Sequence, residues 1–329
     1  MREDEPIQSK GMKKRINNIY KQVCSIENLQ LADINARKHK KNQYGIKKHD
    51  RNREGNILRL HDSLQTKTYK TSPYVTYTIY EPKERQISPL PYYPDRITHH
   101  GIKIFLDRIF IPIFTANTYS GIKGRGIHAT LTALAMALHD VSATKYCLKL
   151  DVTKFYPNVN NDILKQFLWR KISDADFLWL NEEIIESHPG LPLGSTTSQL
   201  YGNVFFTPFD YWIKEIVKVK YYFRYCDDIV ILSNNKPFLH HVLHEIMKFL
   251  HNRLKLEVKD NYQVFPVDDR GIDVVGYVFF HNYILLRKSI KQNFARMLAN
   301  NPNPVSIASY MGWAKHCNSK HLLKTLLHE

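Results

Sequence analysis

Cysteine is scarce in this 329-residue chain, and Cys24, Cys147, Cys226 and Cys317 lie far apart with no C-x-x-C pair among them. That spacing argues against a zinc ribbon and a disulfide framework and leaves reduced, structurally minor thiols as the expectation. Long apolar runs are missing too. Stretches such as Ile229 to Leu232 and Tyr277 to Phe280 fall far short of the roughly 20 residues that cross a bilayer. The N-terminus, M-R-E-D-E-P, carries charge where an export signal needs an apolar stretch, so a cytoplasmic protein without membrane partners is expected. No repeat of fixed period is found. Acidic residues are in deficit, 31 Asp and Glu against 47 Lys and Arg, for a formal charge of +16. Such an imbalance suits a protein that handles a polyanion and argues against a small-metabolite enzyme.

What the chain does have is 43% hydrophobic residues, enough for a substantial core in one to three domains. Its charge is concentrated. Residues 1 to 60 hold 15 Lys and Arg against 7 Asp and Glu, and Arg287 to Glu329 holds seven against one. In the first segment Met12, Ile16, Ile19, Val23 and Ile26 recur at helical spacing as an apolar seam. The seam would dock onto the protein's own body or, on the sharper reading, meet a partner protein or RNA. Residues 73 to 93 mix β-branched residues, tyrosines and prolines and read as strands joined by tight turns. Helical patterns follow at about 97 to 115, 127 to 140, 161 to 171 and 201 to 216, and again after Pro304. Tyr146 to Asp151 alternates, with Tyr146, Leu148 and Leu150 on a covered face and Cys147, Lys149 and Asp151 on a polar one. Interleaved strands and helices make the class α/β (α+β).

Two Asp-Asp pairs occur among 18 aspartates, where chance supplies about one. Asp268-Asp269 lies in P-V-D-D-R-G, a polar turn. Asp227-Asp228 instead sits between F-R-Y and I-V-I-L, as a hairpin turn would. Burying that charge without a cation is costly, so a metal is implied. If Asp151, which ends the strand 76 residues earlier, belongs to the same sheet, the acids converge on one site. Two Mg2+ ions about 3.5 to 4 Å apart, with Mn2+ as a substitute, would there assist attack by a 3′-hydroxyl and departure of pyrophosphate. His240 and His244 stand four apart on an expected helix, but no third distant ligand is evident, and they read as solvated residues.

L-K-L-D-V-T-K-F-Y followed by Y-C-D-D resembles the two carboxylate motifs of reverse transcriptases. The resemblance extends over roughly residues 60 to 290: E-P-K-E-R-Q-I, Y-P-D-R-I-T-H-H-G and G-I-K-G-R-G-I-H-A-T are similar to fingers motifs, L-E-V-K-D-N-Y-Q-V-F-P-V and R-G-I-D-V-V-G-Y to the final palm motifs. Where many members carry Q-G-x-x-x-S-P, this chain reads L-P-L-G-S-T-T-S-Q, with Leu193 for the glutamine, Gly194 kept, and Gln199 for the proline. That variant resembles diversity-generating retroelement reverse transcriptases, in the group II intron-like superfamily. Cys226 departs from the methionine or alanine common elsewhere.

The resemblance implies a right-hand polymerase: a basic N-terminal helical segment over 1–60, fingers over 61–146, a palm over 147–286 with interleaved fingers elements, and a short helical thumb over 287–329. It implies an RNA-directed DNA polymerase that copies a template-repeat RNA into adenine-mutagenised cDNA for diversification of a target gene, using a cDNA or primer end and dNTPs. Asp151, Asp227 and Asp228 become its catalytic metal ligands. Tyr156 becomes an aromatic gate against a 2′-hydroxyl, with core packing as the rival. Arg85 becomes a triphosphate grip, suited by its planar fork of donors; Lys83, Lys123 and Arg125 are weaker phosphate contacts. Leu193, Gly194 and Gln199 would lie beside the incoming nucleotide. With about 40 residues after the last palm motif, a maturase, endonuclease or RNase H domain is not expected, and a small basic helical accessory variability protein is the implied partner. The alternatives are a retron, group II intron-like or phage-defence reverse transcriptase and, more remotely, a catalytically idle RNA-binding protein.

Overall fold

The computed structural model describes residues 15–40, 42–80, 84–300 and 302–327. Met12 of the apolar seam and Lys83 lie outside the described residues. Two compact units emerge, the first drawn from residues 1–115, 153–212 and 251–256, the second from 116–152, 213–250 and 257–329. Elements are numbered along the chain.

The first unit is mainly helical: α1 (Tyr20–Cys24), α2 (Ile26–Ala36), α3 (Tyr44–Asp50), α4 (Arg53–Gln65), α5 (Ile97–Phe110), α7 (Phe155–Asn158), α8 (Asn161–Trp169), α9 (Ala175–Glu186) and α10 (Ser198–Tyr211). The seam expected as one helix is broken at Ser25, whose extended backbone ends α1 and whose hydroxyl accepts from Asn28 N to cap α2. Upstream, Ile16 bridges to the segment after α8, its N–H donating to Lys171 O at 2.9 Å while Ser173 N donates to Ile16 O at 2.8 Å. With Val23 buried, the described part of the seam docks on the protein's own body. Asp33 of α2 ties this region together, accepting from Arg37 Nη2 at 2.7 Å, Arg53 Nε at 2.6 Å and the Tyr92 hydroxyl. Burial pushes the Asp33 carboxyl up, but Tyr92, Arg37 and Arg53 outweigh it and hold the group below the usual range. Among the described residues between 73 and 93 the strands are β1 (Tyr77–Ile79) and β2 (Arg85–Ile87), paired antiparallel with Ile79 opposite Arg85. The prolines that follow have no N–H to offer a ladder, so the strands stay short.

The second unit is built on a five-stranded sheet of β3 (Thr118–Tyr119), β4 (Tyr146–Leu150), β5 (Tyr221–Tyr225), β6 (Asp228–Ser233) and β7 (Gln263–Pro266), in the order β3-β5-β6-β4-β7. Only β3 and β5 run parallel. One face lies under α11 (Lys236–Phe249), whose Leu239, Val242, Leu243 and Ile246 are buried, while His240 and His244 are exposed as expected. The other face was expected to be polar. Instead Cys147 is fully buried there with Val230, Leu232 and Phe265, against α6 (Ile127–Leu138) and a three-stranded sheet of β8 (Ile272–Val274), β9 (Tyr277–Phe279) and β10 (Ile284–Leu286). Lys149 therefore faces that layer rather than solvent, as a sheet covered on both sides requires. Short α12 (Val267–Arg270) holds Asp268-Asp269 at the edge of this layer, and α13 (Lys288–Asn300), α14 (Pro304–Ala314) and α15 (Lys320–Leu327) complete the chain. The fold is mixed α/β. No described helix is long and apolar enough to cross a membrane, and none of the four cysteines is in a disulfide.

Candidate active site

Register brings the acids of the second unit together. In the antiparallel pair of β4 and β6, Leu150 stands opposite Ile229, so the next step along each strand sets Asp151 against Asp228, on the face that carries Lys149. Tyr225 opposite Asp228 leaves a two-residue turn of Cys226 and Asp227 between β5 and β6. Cys226 takes a positive φ of 55°, the conformation demanded at the first central position of such turns. Its carbonyl accepts from Nη1 of the buried Arg224 at 2.9 Å, and its thiol donates to Ser120 Oγ at 2.9 Å. The turn that displays Asp227 is thus held from both sides.

The electrostatics are those of crowded carboxylates. Burial and then the neighbouring Asp151, within hydrogen-bonding reach, push the Asp227 carboxyl up to about 7. Burial raises Asp228 as well, opposed by Lys149 and reinforced by Asp151. Two cations stand close by that the motif reading had not singled out. Lys259 Nζ lies 3.4 Å from Asp151 Oδ2, and its N–H donates to Asp151 O at 2.9 Å. Lys149 Nζ donates to Asp273 O, while the Asp273 carboxylate accepts from Arg287 Nε at 2.6 Å. Lys259 lies 108 residues from its partner, so its role left no local pattern; the bridge of Val152 with Val258 places it there.

Among the described residues no group of three or more His, Cys, Asp or Glu side chains is gathered as a ready-made metal cage. The donor set still suits a hard divalent cation. It is all oxygen, its charge is under-compensated at Asp227, and Mg2+ is commonly held by one or two carboxylates with substrate phosphates and water completing the shell.

A second cluster forms within the first unit. The Tyr156 carbonyl accepts from Leu191 N at 2.8 Å, and the Leu193 carbonyl accepts from Ser88 N at 2.9 Å, which stitches α7, the loop before α10 and the end of β2 into one patch. Gly194 has φ +109°, and a Cβ there would come within 3.3 Å of Ile87 Cγ2, so glycine serves both the backbone angle and the close approach. Arg85 is exposed on β2, Leu193 and Tyr156 are half-buried, and Tyr156 packs on Phe155 with centroids 5.0 Å apart. Gln199 is exposed in the first turn of α10. Lys123 and Arg125 belong to the second unit, in a glycine turn closed by the bond from Ser120 N to Arg125 O at 2.9 Å.

A sequence profile of the reverse transcriptase (RNA-dependent DNA polymerase) family matches residues 83–279, well over half the chain and both carboxylate strands. The chain belongs to the reverse transcriptase family. This reverse transcriptase is 23% identical over 292 residues to Protein YkfC of Escherichia coli (strain K12), covering 74% of each chain. It is 21% identical over 224 residues to the group II intron-encoded protein LtrA of Lactococcus lactis subsp. cremoris, covering 64% of this chain but only 36% of that protein. Among solved structures, telomerase from Candida albicans in complex with a fragment of telomeric RNA aligns over 71% of this chain and 51% of its own, with a TM-score of 0.48 and 10% identity. The reverse transcriptase therefore spans about half the length of that telomerase and about a third of LtrA. Its mixed α/β fold is consistent with a right-hand polymerase, and RNA-directed DNA polymerase is the activity that family membership carries. Reverse transcriptase domains act on nucleic-acid templates and generally use divalent ions.

Proposed function

We propose that this enzyme is a diversity-generating reverse transcriptase: it copies a template-repeat RNA into cDNA that carries errors at template adenines, and the cDNA diversifies a target gene by mutagenic retrohoming. The observation that carries this reading is the segment L-P-L-G-S-T-T-S-Q, with Leu193 where many relatives have glutamine. Leu193 is half-buried on the patch that also holds Arg85 and Tyr156. An aliphatic side chain there offers no polar contact to an incoming nucleotide. One such hydrogen bond is worth roughly 0.5 to 1.5 kcal/mol, so its absence relaxes selectivity but does not alone explain heavy mutagenesis. In the proposed division β4 to β7 belong, but for Tyr146, to a palm over 147–286, β1, β2, β3, α5 and α6 to fingers over 61–146, and α13 to α15 to a thumb over 287–329, after a basic segment over 1–60.

In this reading Asp151 and Asp227 hold the divalent cations and Asp228 ligates or tunes them. Bound Mg2+ would lower the charge barrier between an attacking 3′-hydroxyl and the triphosphate. Asp227, whose carboxyl is pushed up by burial and by the neighbouring Asp151, is the group most relieved by a cation. Arg85 grips the triphosphate through its guanidinium fork, Tyr156 blocks a 2′-hydroxyl, and Gly194 and Gln199 border the nucleotide. Lys123 and Arg125 contact phosphate, as would Lys83. A small basic helical accessory protein docks on the exposed basic surface, and the enzyme works in the cytoplasm. The deciding experiment is to sequence cDNA made from an adenine-containing RNA template. Errors concentrated at template adenines support the proposal; an even spectrum leaves a reverse transcriptase of the retron, group II intron-like or phage-defence kind.

A further inference from the structure

His99 of α5 is buried, 2% exposed. Its Nδ1 lies 3.0 Å from Ser195 Oγ and 3.4 Å from Thr197 Oγ1, and those two hydroxyls lie 2.9 Å apart. Thr197 N also donates to Ser195 Oγ at 3.4 Å, and Ser198 Oγ donates to Pro192 O at 2.7 Å. A chain of polar contacts thus runs from the core of the first unit into the loop that displays Leu193 and Gly194. His99 Nε2 is buried and finds no hydrogen-bond partner among the described residues. An unmet ring lone pair costs less than an unmet N–H, which assigns the proton to Nδ1. With that tautomer His99 donates to Ser195 Oγ, Ser195 donates to Thr197 Oγ1, and the relay has a single direction. Burial holds the imidazole neutral, its pKa pushed down to about 3, so the arrangement persists through the working pH range.

We infer that His99 is a positioning residue: through Ser195 and Thr197 it clamps the Pro192–Ser198 loop in the shape that receives the incoming dNTP. The inference rests on the proposal that Leu193 and Gly194 border that nucleotide. Burial of Pro192, Thr197 and Ser198 and the bond of Ser198 Oγ to Pro192 O hold the two ends of the loop, and the relay holds Ser195 between them. Leu193 is anchored on one side by the bond from Ser88 N, and Gly194 has a backbone angle that resists nothing by itself. Without the relay the loop samples more shapes, and each dNTP must select the competent one, which raises KM in proportion.

The experiment is steady-state primer extension on an RNA template with the full chain, comparing wild type, His99→Leu, His99→Asn, Ser195→Ala and the His99→Leu/Ser195→Ala double variant. Loss of one buried hydrogen bond raises KM for dNTP about 2- to 13-fold in His99→Leu, with the effect falling on KM more than on kcat. His99→Asn, whose amide can donate from nearly the position of Nδ1, recovers most of the loss. The double variant is no worse than the poorer single one, because both cut the same relay. An unchanged KM in both single variants, or additive losses in the double, overturns the inference while leaving the polymerase reading intact. Should His99→Leu fail to fold, Ser195→Ala decides alone by the same KM criterion, since it leaves the imidazole in place. A wild-type protein that extends no primer overturns the polymerase reading and this inference with it.

Discussion

The acidic turn of the second unit and the Pro192–Ser198 loop of the first are positioned by different physics. Asp151 and Asp228 are set by strand register, and Asp227 by a two-residue hairpin between strands whose apolar residues are buried on both faces. A register slip would turn every side chain of β4 or β6 to the wrong face, so the site inherits the rigidity of the sheet. Leu193 and Gly194 instead hang on a few hydrogen bonds between irregular segments, from Ser88, Leu191 and the hydroxyls of Ser195 and Thr197. The comparison teaches that charge is held by the regular part of the molecule and, on the proposed function, selectivity by the irregular part. Changes at the acids should act as switches and changes in the loop as dials.

The sharpest break of that contrast is Asp227→Asn. We expect polymerisation to fall by at least about 10³-fold with the fold kept, because the amide fills the same turn and removes a crowded charge; wild-type extension rates from folded variant protein would end the metal-ligand assignment. Arg85→Ala comes next. A charge-assisted hydrogen bond to phosphate is worth about 1.5 to 3 kcal/mol, so KM for dNTP should rise about 10- to 150-fold with single-nucleotide addition as the assay. The loop's imidazole offers a pH handle. The folded pKa of His99 is depressed to about 3 while the unfolded residue titrates near 6.5, so between those values the unfolded state binds the extra proton. Stability is then fully present above about pH 6.5 and falls as the pH drops, by on the order of 2 kcal/mol between pH 7 and 5. Urea midpoints should show this loss in wild type and a flatter profile in His99→Leu. Tyr156→Ala should admit ribonucleotides on the order of tenfold more readily, read from rNTP incorporation on the same template. The smallest effect belongs to Leu193→Gln, which should lower misincorporation opposite adenine about 2- to 13-fold; an unaltered adenine error spectrum would detach Leu193 from fidelity.

The two regions also differed in how readily they could be read. The alternation of Tyr146 to Leu150 and the apolar flanks of Cys226-Asp227 are local patterns with the period of a strand, and the hairpin they announced is present. Helical spacing likewise placed α5, α6 and α8 within about five residues of their observed ends, and the helical pattern after Pro304 is met by α14 and α15. The seam of Ile16, Ile19, Val23 and Ile26 misled as a single helix because the Ser25 hydroxyl competes for the backbone and starts a new one. The face of β4 judged polar was misjudged because the layer that buries Cys147 joins α6, just before it, to β8, β9 and β10, more than a hundred positions later. The reach of Lys259 to Asp151, the buried Arg224 behind the turn and the relay from His99 have no local period at all.

By itself the order of residues determined the class of element at each place, the acids available to a metal and the family to which the enzyme belongs, since periodicity and short motifs are properties of neighbouring positions. Only the tertiary structure decided which charges face one another, which side of the central sheet is dry and which buried imidazole bonds into the Pro192–Ser198 loop. Those depend on contacts between distant segments, whose free energy is settled by burial and geometry that no single stretch of chain contains.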